Sequence, residues 1–319
     1  MENIFGPVPS RRLGRSLGVD VVPPKTCSYD CVYCESGRTT HLTSRRADFV
    51  QPDQVVVQLE NYFQKHPRGA EVITFSSAGE PTLYRPLGTL LRAIKKRFPE
   101  LPLVVLTNGS LLWQAEVRAD LMAADRVAPS LDAVTPEVFK RVNAPHPSLE
   151  MGQILEGIRA FRRDYTGQIH LEVLMVAGYN DDAEHLKRLG KEIEALDVDR
   201  VELNTVVRPP AKAGVRGLTE SELKAIVRFF PQAKLKIVGR YRGPAPSEQD
   251  ACLATRVTEL VRRRPCSITE MAASMGLELN ELYAALERLE ARQVLERRIF
   301  GGTEYVCSCA SVGPDRRPE

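Results

Sequence analysis

Short apolar runs alternate with longer amphipathic stretches along most of this chain. The runs are "LGVDVVP" from Leu17, "EVITF" before Ser76, "PLVVL" before Thr107, "ADRVAP" before Ser130, "IHLEVLM" ending at Met175 and "VDRVELN" ending at Asn204. Each is short, rich in Val, Ile and Leu, and followed by turn residues, as expected of buried strands. Between them lie segments with apolar residues every three or four positions: "VVVQLENYFQKH", "PLGTLLRAIKKRF", "MGQILEGIRAFRR", "DDAEHLKRLGKEIEAL" and "LTESELKAIVRFF". The second puts Leu87, Leu90, Leu91 and Ile94 on one helical face. The third does the same with Met151, Ile154, Leu155, Ile158 and Phe161.

A β-then-α alternation implies parallel strands joined by crossover helices. Six such units predict an α/β fold, a partial (βα)6 barrel rather than a complete eight-unit one. Catalytic groups in that architecture gather where strands end. The segments "CSYDCVYC", "AGEPT", "TNG", "SLDA", "AGYND" and "RPPAKAG" all follow apolar runs and would converge on one mouth.

The pattern breaks at "GRYRGPAPSEQDA", where Gly243, Pro244 and Pro246 mark a linker. Beyond it the chain predicts a helix from about Glu248 to Arg264, a short helix "SITEMAASMG", a third over "ELNELYAALERLEARQ", and a hairpin turning at Gly301-Gly302. Three helices and a hairpin predict a small winged-helix domain. The boundaries read as barrel 1–243, winged helix 247–306 and a disordered tail 307–319. Winged helices often bind DNA, but the expected recognition helix carries Glu278, Glu281, Glu287 and Glu290 against Arg288 and Arg292. Such a face repels phosphate. Basic groups stand instead at Arg262–Arg264 and in the wing at Arg297 and Arg298. The domain is therefore expected to contact a protein, a peptide or the barrel itself rather than DNA.

Composition narrows the class. At 43% hydrophobic and 27% charged, the 319 residues resemble an ordinary soluble globular protein. No run of about 18 apolar residues is present, and "MENIFGPVPS" lacks a secretory pattern, so the expected location is the cytoplasm. The net charge of +3 is too small to require nucleic acid. Seven unevenly placed cysteines argue against a disulfide framework and for metal or redox chemistry.

The densest chemistry is "KTCSYDCVYC", with Cys27, Cys31 and Cys34 spaced Cys-x3-Cys-x2-Cys. Thiolates bind zinc or iron–sulfur clusters. Structural zinc wants four ligands, and no fourth lies nearby. The polar neighbours Lys25, Ser28 and Asp30 disfavour plain buried thiols. A four-iron cubane on three cysteines would leave one iron open. His146 and His170 have no metal-ligand pattern around them, and neither a Ser-His-Asp set nor a phosphate loop is visible.

With the aromatic Tyr33 just before the third cysteine, this segment resembles the signature of the radical S-adenosylmethionine (SAM) enzymes. The resemblance implies a [4Fe-4S] cluster whose open iron binds the amino and carboxylate groups of SAM. It implies reductive cleavage of SAM to methionine and a 5′-deoxyadenosyl radical, which abstracts hydrogen from a substrate, and a flavodoxin- or ferredoxin-type electron donor. Ala78, Gly79 and Glu80 resemble the family's second-strand motif, which receives the methionine ammonium. Ser130 and Asp132 match a fourth-strand position that commonly bonds SAM, although both are also frequent helix caps. Asn108, with Thr107, ends the third strand, where turn chemistry explains Asn-Gly equally well. Glu172 and Asn204 lie on strands five and six as further candidates. By alternation Glu172 shares a side with His170 and Leu174, opposite Met175.

"FGPVPSRRLGRSLGVDVVPPKTCSYDCVYC" and "GEPTL" further resemble an uncharacterised prokaryotic branch of the superfamily, distantly similar to wyosine-forming tRNA enzymes but without their flavodoxin-like domain. This resemblance covers roughly residues 1–240. The substrate class stays open among RNA, peptide and small metabolite, and no residue is assigned as the catalytic hydrogen donor. Arg11, Arg12 and Arg15, or Arg208 after the sixth strand, are candidates to grip an anion, with a solvated loop as the blander reading of the first three. Cys252, Cys266, Cys307 and Cys309 are enough for a second cluster, but their placement favours separate thiols. The alternative function is a DNA-binding regulator that uses an iron–sulfur cluster as sensor.

Overall fold

The computed structural model describes residues 3–10, 12–76, 78–238, 253–291 and 293–309. In chain order its elements begin with β1 (Ile4–Ser10), β2 (Gly14–Val19) and the two-residue strands β3 (Thr26–Cys27) and β4 (His41–Leu42). There follow α1 (Pro52–Lys65), β5 (Val72–Phe75), α2 (Leu87–Arg97), β6 (Leu103–Thr107), α3 (Ala115–Leu121), β7 (Arg126–Pro129), α4 (Pro136–Asn143) and α5 (Met151–Asp164). Then come β8 (Gln168–Met175), α6 (Ala183–Leu196), β9 (Arg200–Thr205), α7 (Glu220–Ile226) and β10 (Leu235–Ile237). Beyond the linker, which lies outside the described residues, are α8 (Leu253–Arg263), β11 (Cys266–Ser267), α9 (Ile268–Met275), α10 (Leu279–Ala291), β12 (Leu295–Phe300) and β13 (Thr303–Ser308).

The main sheet has the order β1-β2-β5-β6-β7-β8-β9-β10. From β2 to β10 every pairing is parallel. The six apolar runs of the sequence are β2 and β5 to β9, in the expected order. Helices cover the outer face. Leu87, Leu90, Leu91 and Ile94 of α2 are fully buried, as their spacing requires, and each such side chain contributes roughly 1.5–3 kcal/mol. α3 and α4 are additions to the expected pattern, as is β1, an antiparallel edge strand against β2.

The sheet is open, with β1 and β10 at its edges, and it curls. Arg12, in the β1–β2 turn, donates to Glu172 on β8 at 2.7 Å and to Glu202 on β9 at 3.1 Å. β2 and β8 are four strand spacings apart, roughly 19 Å in a flat sheet at ~4.8 Å each, so only a curled sheet brings these groups together.

The C-terminal segment has its own core around Val257, Val261, Met271, Leu282, Leu286 and Val306. Its helix α9 opens with a reciprocal cap between Ser267 and Glu270 and ends at Gly276 in the left-handed conformation. β12 and β13 pair as a hairpin whose turn, Gly301-Gly302, has both residues at positive φ. β11 adds a third strand against β13 that the sequence pattern does not predict. The boundary expected at Cys307 moves: β13 runs through it to Ser308, and 310–319 lie outside the described residues.

This segment packs on the barrel. The Ser36 hydroxyl donates to the Arg263 carbonyl at 2.8 Å, and the Tyr305 hydroxyl donates to the Val207 carbonyl. The Arg263 guanidinium lies 4.0 Å from the centre of the Phe5 ring. Among the described residues no helix is long and apolar enough to cross a membrane.

Candidate functional site

The strand ends on the carboxyl side of the sheet open into a cavity of about 360 Å³. Cys27, Cys31 and Cys34 form one wall. Their loop is built largely on backbone hydrogen bonds. Asp30 N–H donates to the Asn143 carbonyl at 3.1 Å and Val32 N–H to the Val142 carbonyl at 3.0 Å. These carbonyls belong to the last turn of α4, which has no intrahelical donors for them. The helix end thus becomes the bed of the cysteine loop.

Tyr33, Ala78, Gly79, Glu80, Asn108, Ser130, Glu172 and Asn204 line the same cavity. Asp132 does not. It is 2% exposed and stands behind the wall: its carboxylate accepts from the Tyr33 hydroxyl, from Asn143 Nδ2 at 2.8 Å and from Leu174 N–H at 2.8 Å. Burial pushes this carboxyl up to about 6 against the pull of those donors. Nor does Asp132 cap a helix; Thr135 precedes α4. The structure places Asp132 beneath Tyr33 rather than at the cavity surface. Ser130 does face the cavity.

Glu80 is 2% exposed. Its Oε1 accepts from Thr82 N–H at 3.0 Å, Thr82 Oγ1 at 2.6 Å and Thr107 Oγ1 at 2.6 Å, and its Oε2 from Asn108 N–H at 2.7 Å. Burial raises its pKa, and these same donors oppose the rise. The carboxylate ties the second strand end to the third. Gly79 is needed because a Cβ there would sit 2.0 Å from the Thr26 carbonyl oxygen. The close approach that this glycine permits is to the backbone of the cysteine loop. Asn108 combines two roles: its Oδ1 accepts from Ser110 N–H at 2.9 Å, a turn bond, while its Nδ2 donates to Ser28 Oγ at 2.8 Å and to Cys27 Sγ at 3.6 Å.

Glu172 faces inward with Leu174, as the alternation requires, and Met175 is buried on the opposite side. Asn204 Nδ2 donates to Glu172 Oε1 at 2.9 Å. At the floor of the cavity Arg12 bridges Glu172 and Glu202, with His170 Nδ1 3.3 Å from Glu202. Burial would raise the Glu202 carboxyl, but bonds and charge from His170 and Arg12 hold it below its ordinary value. Arg12 is thus no anion grip. Arg15 lies 3.8 Å from Glu71 at the surface, and Arg11 falls outside the described residues. Arg208 is likewise taken: 4% exposed, it pairs with Glu35 at 2.7 Å and Glu270 at 3.0 Å.

Sequence reasoning did not place Leu260, Arg263 and Arg264 of the C-terminal segment at this cavity, yet they form part of its wall. The basic run Arg262–Arg264 was a visible signal, but it pointed equally to a free basic surface. Cys266, Cys307 and Cys309 are free thiols, the first two buried, and Cys252 lies outside the described residues. Among the described residues these thiols do not assemble into a metal-holding group.

A family model described as the radical SAM superfamily matches residues 21–190. The UPF0026 protein of Helicobacter pylori strain J99 is 33% identical over 306 residues, 96% of this chain and 97% of that protein. The chain belongs to the radical SAM superfamily and, within it, to the UPF0026 family. GTPase Obg of Brachyspira hyodysenteriae is 32% identical over 310 residues, 95% of this chain but 45% of that protein, so the chain spans less than half of that relative. A radical SAM methyltransferase from Sphaerobacter thermophilus shares the fold, with a TM-score of 0.55 at 15% identity, covering 70% of this chain and 66% of that one. A regulator that merely senses through a cluster is not favoured by this kinship. With the superfamily come its two cofactors, a [4Fe-4S] cluster and SAM.

The donor set fits that cluster. Cys27, Cys31 and Cys34 stand together on one wall of the cavity, soft sulfur donors of the kind that hold iron–sulfur clusters. Burial pushes the Cys27 thiol up to about 12 and raises Cys31 and Cys34 as well. Such thiols become thiolates only when a metal takes the proton's place. Lys25 carries a buried Nζ without a hydrogen-bond partner among the described residues. Burial lowers its pKa and the charge of Cys34 opposes that. A thiolate-held cluster would set negative charge beside this ammonium.

Proposed function

We propose that this UPF0026 protein is a radical SAM enzyme whose reaction chamber is the cavity at the strand ends. The observation that carries the reading is the convergence of Cys27, Cys31 and Cys34 with residues from five strands, β5 to β9, on one cavity. Cys27, Cys31 and Cys34 would hold the cluster and leave one iron open to SAM. The pair of cofactors supplies one-electron reductive cleavage of the sulfonium and hydrogen-atom abstraction from a substrate.

This chain's own residues bind and orient. Ala78, Gly79 and Glu80 present the second strand end to SAM, chiefly through backbone, since the Glu80 carboxylate is engaged by its neighbours. Tyr33, Asn108 and Ser130 offer an aromatic edge, an amide and a hydroxyl along the wall. Glu172 and Asn204 are the deeper polar contacts. Asp132 holds Tyr33 from behind. Residues 253–309 act as a winged-helix module that walls the chamber through α8 and limits access of water. The acidic residues on the α10 segment favour this role over reading DNA. A flavodoxin- or ferredoxin-type protein delivers the electron.

The test is anaerobic reconstitution of the full chain with iron and sulfide, followed by dithionite and SAM. The expected result is about four irons per chain and release of 5′-deoxyadenosine, with both lost in Cys31→Ala. A protein that holds its cluster yet never cleaves SAM would sink the proposal.

A further inference from the structure

Two side-chain amides point at two of the three cysteine sulfurs. Asn108 Nδ2 lies 3.6 Å from Cys27 Sγ, and Asn143 Nδ2 lies 3.5 Å from Cys31 Sγ. The orientation of each amide is fixed by its other partners. Asn108 Oδ1 accepts from Ser110 N–H at 2.9 Å, so its nitrogen must face the sulfur. Asn143 meets the carboxylate of Asp132 at 2.8 Å, a pure acceptor when ionised, so it too must present nitrogen on that side. Asp132 is itself held by Leu174 N–H and the Tyr33 hydroxyl. Asn143 is 3% exposed at the end of α4, the helix on which the cysteine loop rests. Neither amide can turn away without leaving a buried partner unsatisfied.

We propose that Asn108 and Asn143 are positioning residues that set the reduction potential of the cluster by donating N–H bonds to two of its ligating sulfurs. This rests on the reading that Cys27 and Cys31 are ligands. A one-electron reduction adds negative charge to the cluster and its thiolates. A donor aimed at a ligating sulfur stabilises that added charge and raises the potential. The two amides therefore ease the electron transfer that starts the reaction. They exert this effect through the sulfurs, Asn143 from outside the cavity.

The experiment is potentiometric titration of the full chain, reconstituted anaerobically and followed by the EPR signal of the reduced cluster. Asn108→Ala and Asn143→Ala are compared with wild type at matched iron and sulfide content. The expected result for each is a lower potential. At a fixed solution potential the ratio of reduced to oxidised cluster should fall about tenfold, which is about 59 mV for one electron. The direction separates this role from a merely structural one. Loosened packing admits water, which favours the more highly charged reduced form and raises the potential. An unchanged or raised potential in both variants, with the cluster fully loaded, overturns the inference.

A second measurement needs no variant. Resonance Raman spectra of the wild-type cluster in H2O and D2O should show a deuterium shift of the Fe–S(Cys) stretching bands. Absence of that shift overturns the inference even if the alanine variants fail to hold a cluster. A wild-type chain that binds no iron and sulfide at all defeats the underlying ligand assignment, and the inference falls with it.

Discussion

Arg208 pairs with Glu35 at 2.7 Å, joining the exit of β9 to the residue directly after Cys34. The same guanidinium reaches Glu270 in α9 at 3.0 Å. Burial works against its charge, but the two carboxylates keep it protonated. One side chain thus connects the barrel, the cysteine loop and the C-terminal module.

Removing it should loosen all three. Arg208→Met is expected to cost about 2–4 kcal/mol, less than a fully buried pair because Glu35 stays partly solvated. Urea unfolding measures the loss. Limited proteolysis should also degrade the C-terminal module faster in the variant, whereas Glu35→Gln alone should cost less.

The floor of the barrel predicts a pH dependence. Glu202 has a folded-state pKa held below its ordinary value of 4.5, first against burial and then by His170 and Arg12. A depressed carboxylate contributes stability that is fully present above about 4.5 and is lost as pH falls through the folded value. Glu202→Gln should therefore be much less stable than wild type at pH 6. The gap should narrow towards pH 3.5. Unfolding free energies across that range check it, and a gap that is constant with pH would remove Glu202 from the account.

Gly79→Ala should displace the cysteine loop, because the new methyl meets the Thr26 carbonyl at 2.0 Å. The backbone oxygen cannot rotate away as a flexible side chain would. Overpacking of this kind costs about 1–3 kcal/mol. The expected readout is a fall in bound iron after reconstitution that exceeds the fall in thermal stability.

Glu80→Gln keeps shape but turns one acceptor into a donor. Three donors already face Oε1 and one faces Oε2. Whichever way the amide sits, at least one buried N–H or O–H loses its acceptor, at a cost of about 1–3 kcal/mol. Thermal melts should show it. Equilibrium dialysis of SAM on the reconstituted protein should show weaker binding, since Asn108 loses its anchor.

Much of this was legible beforehand, and the exceptions have physical reasons. β5 to β9 are runs of Val, Ile and Leu because parallel strands are buried on both faces. β1 was not legible: "IFGPVPS" carries two prolines, and proline marks an edge strand or none. α3 and α4 are seven and eight residues long, too short for a helical period to stand out. Within the site, the strand ends were readable as candidates, but facing was not. Asp132 and Ser130 are two residues apart, yet Asp132 is sealed under Tyr33 and Ser130 lines the cavity. Asn143 was invisible because its partner sulfur is 112 residues away and no local pattern links them. The arginines misled for the same reason. A guanidinium free in sequence is free in space only if no carboxylate folds against it, and Arg12 and Arg208 each meet two.

Leu260, Arg263 and Arg264 bring a stretch of chain from beyond the barrel into the chamber that faces the three thiols. Substitutions in that one helix reshape this side of the cavity while the hydrogen bonds that seat the cysteine loop on α4 stay in place. If the cavity is the reaction chamber proposed above, a lineage can change what it recognises without rebuilding the cysteine loop. The converse also follows: a chain that loses this helix keeps its cysteines but leaves them open on that side to dioxygen.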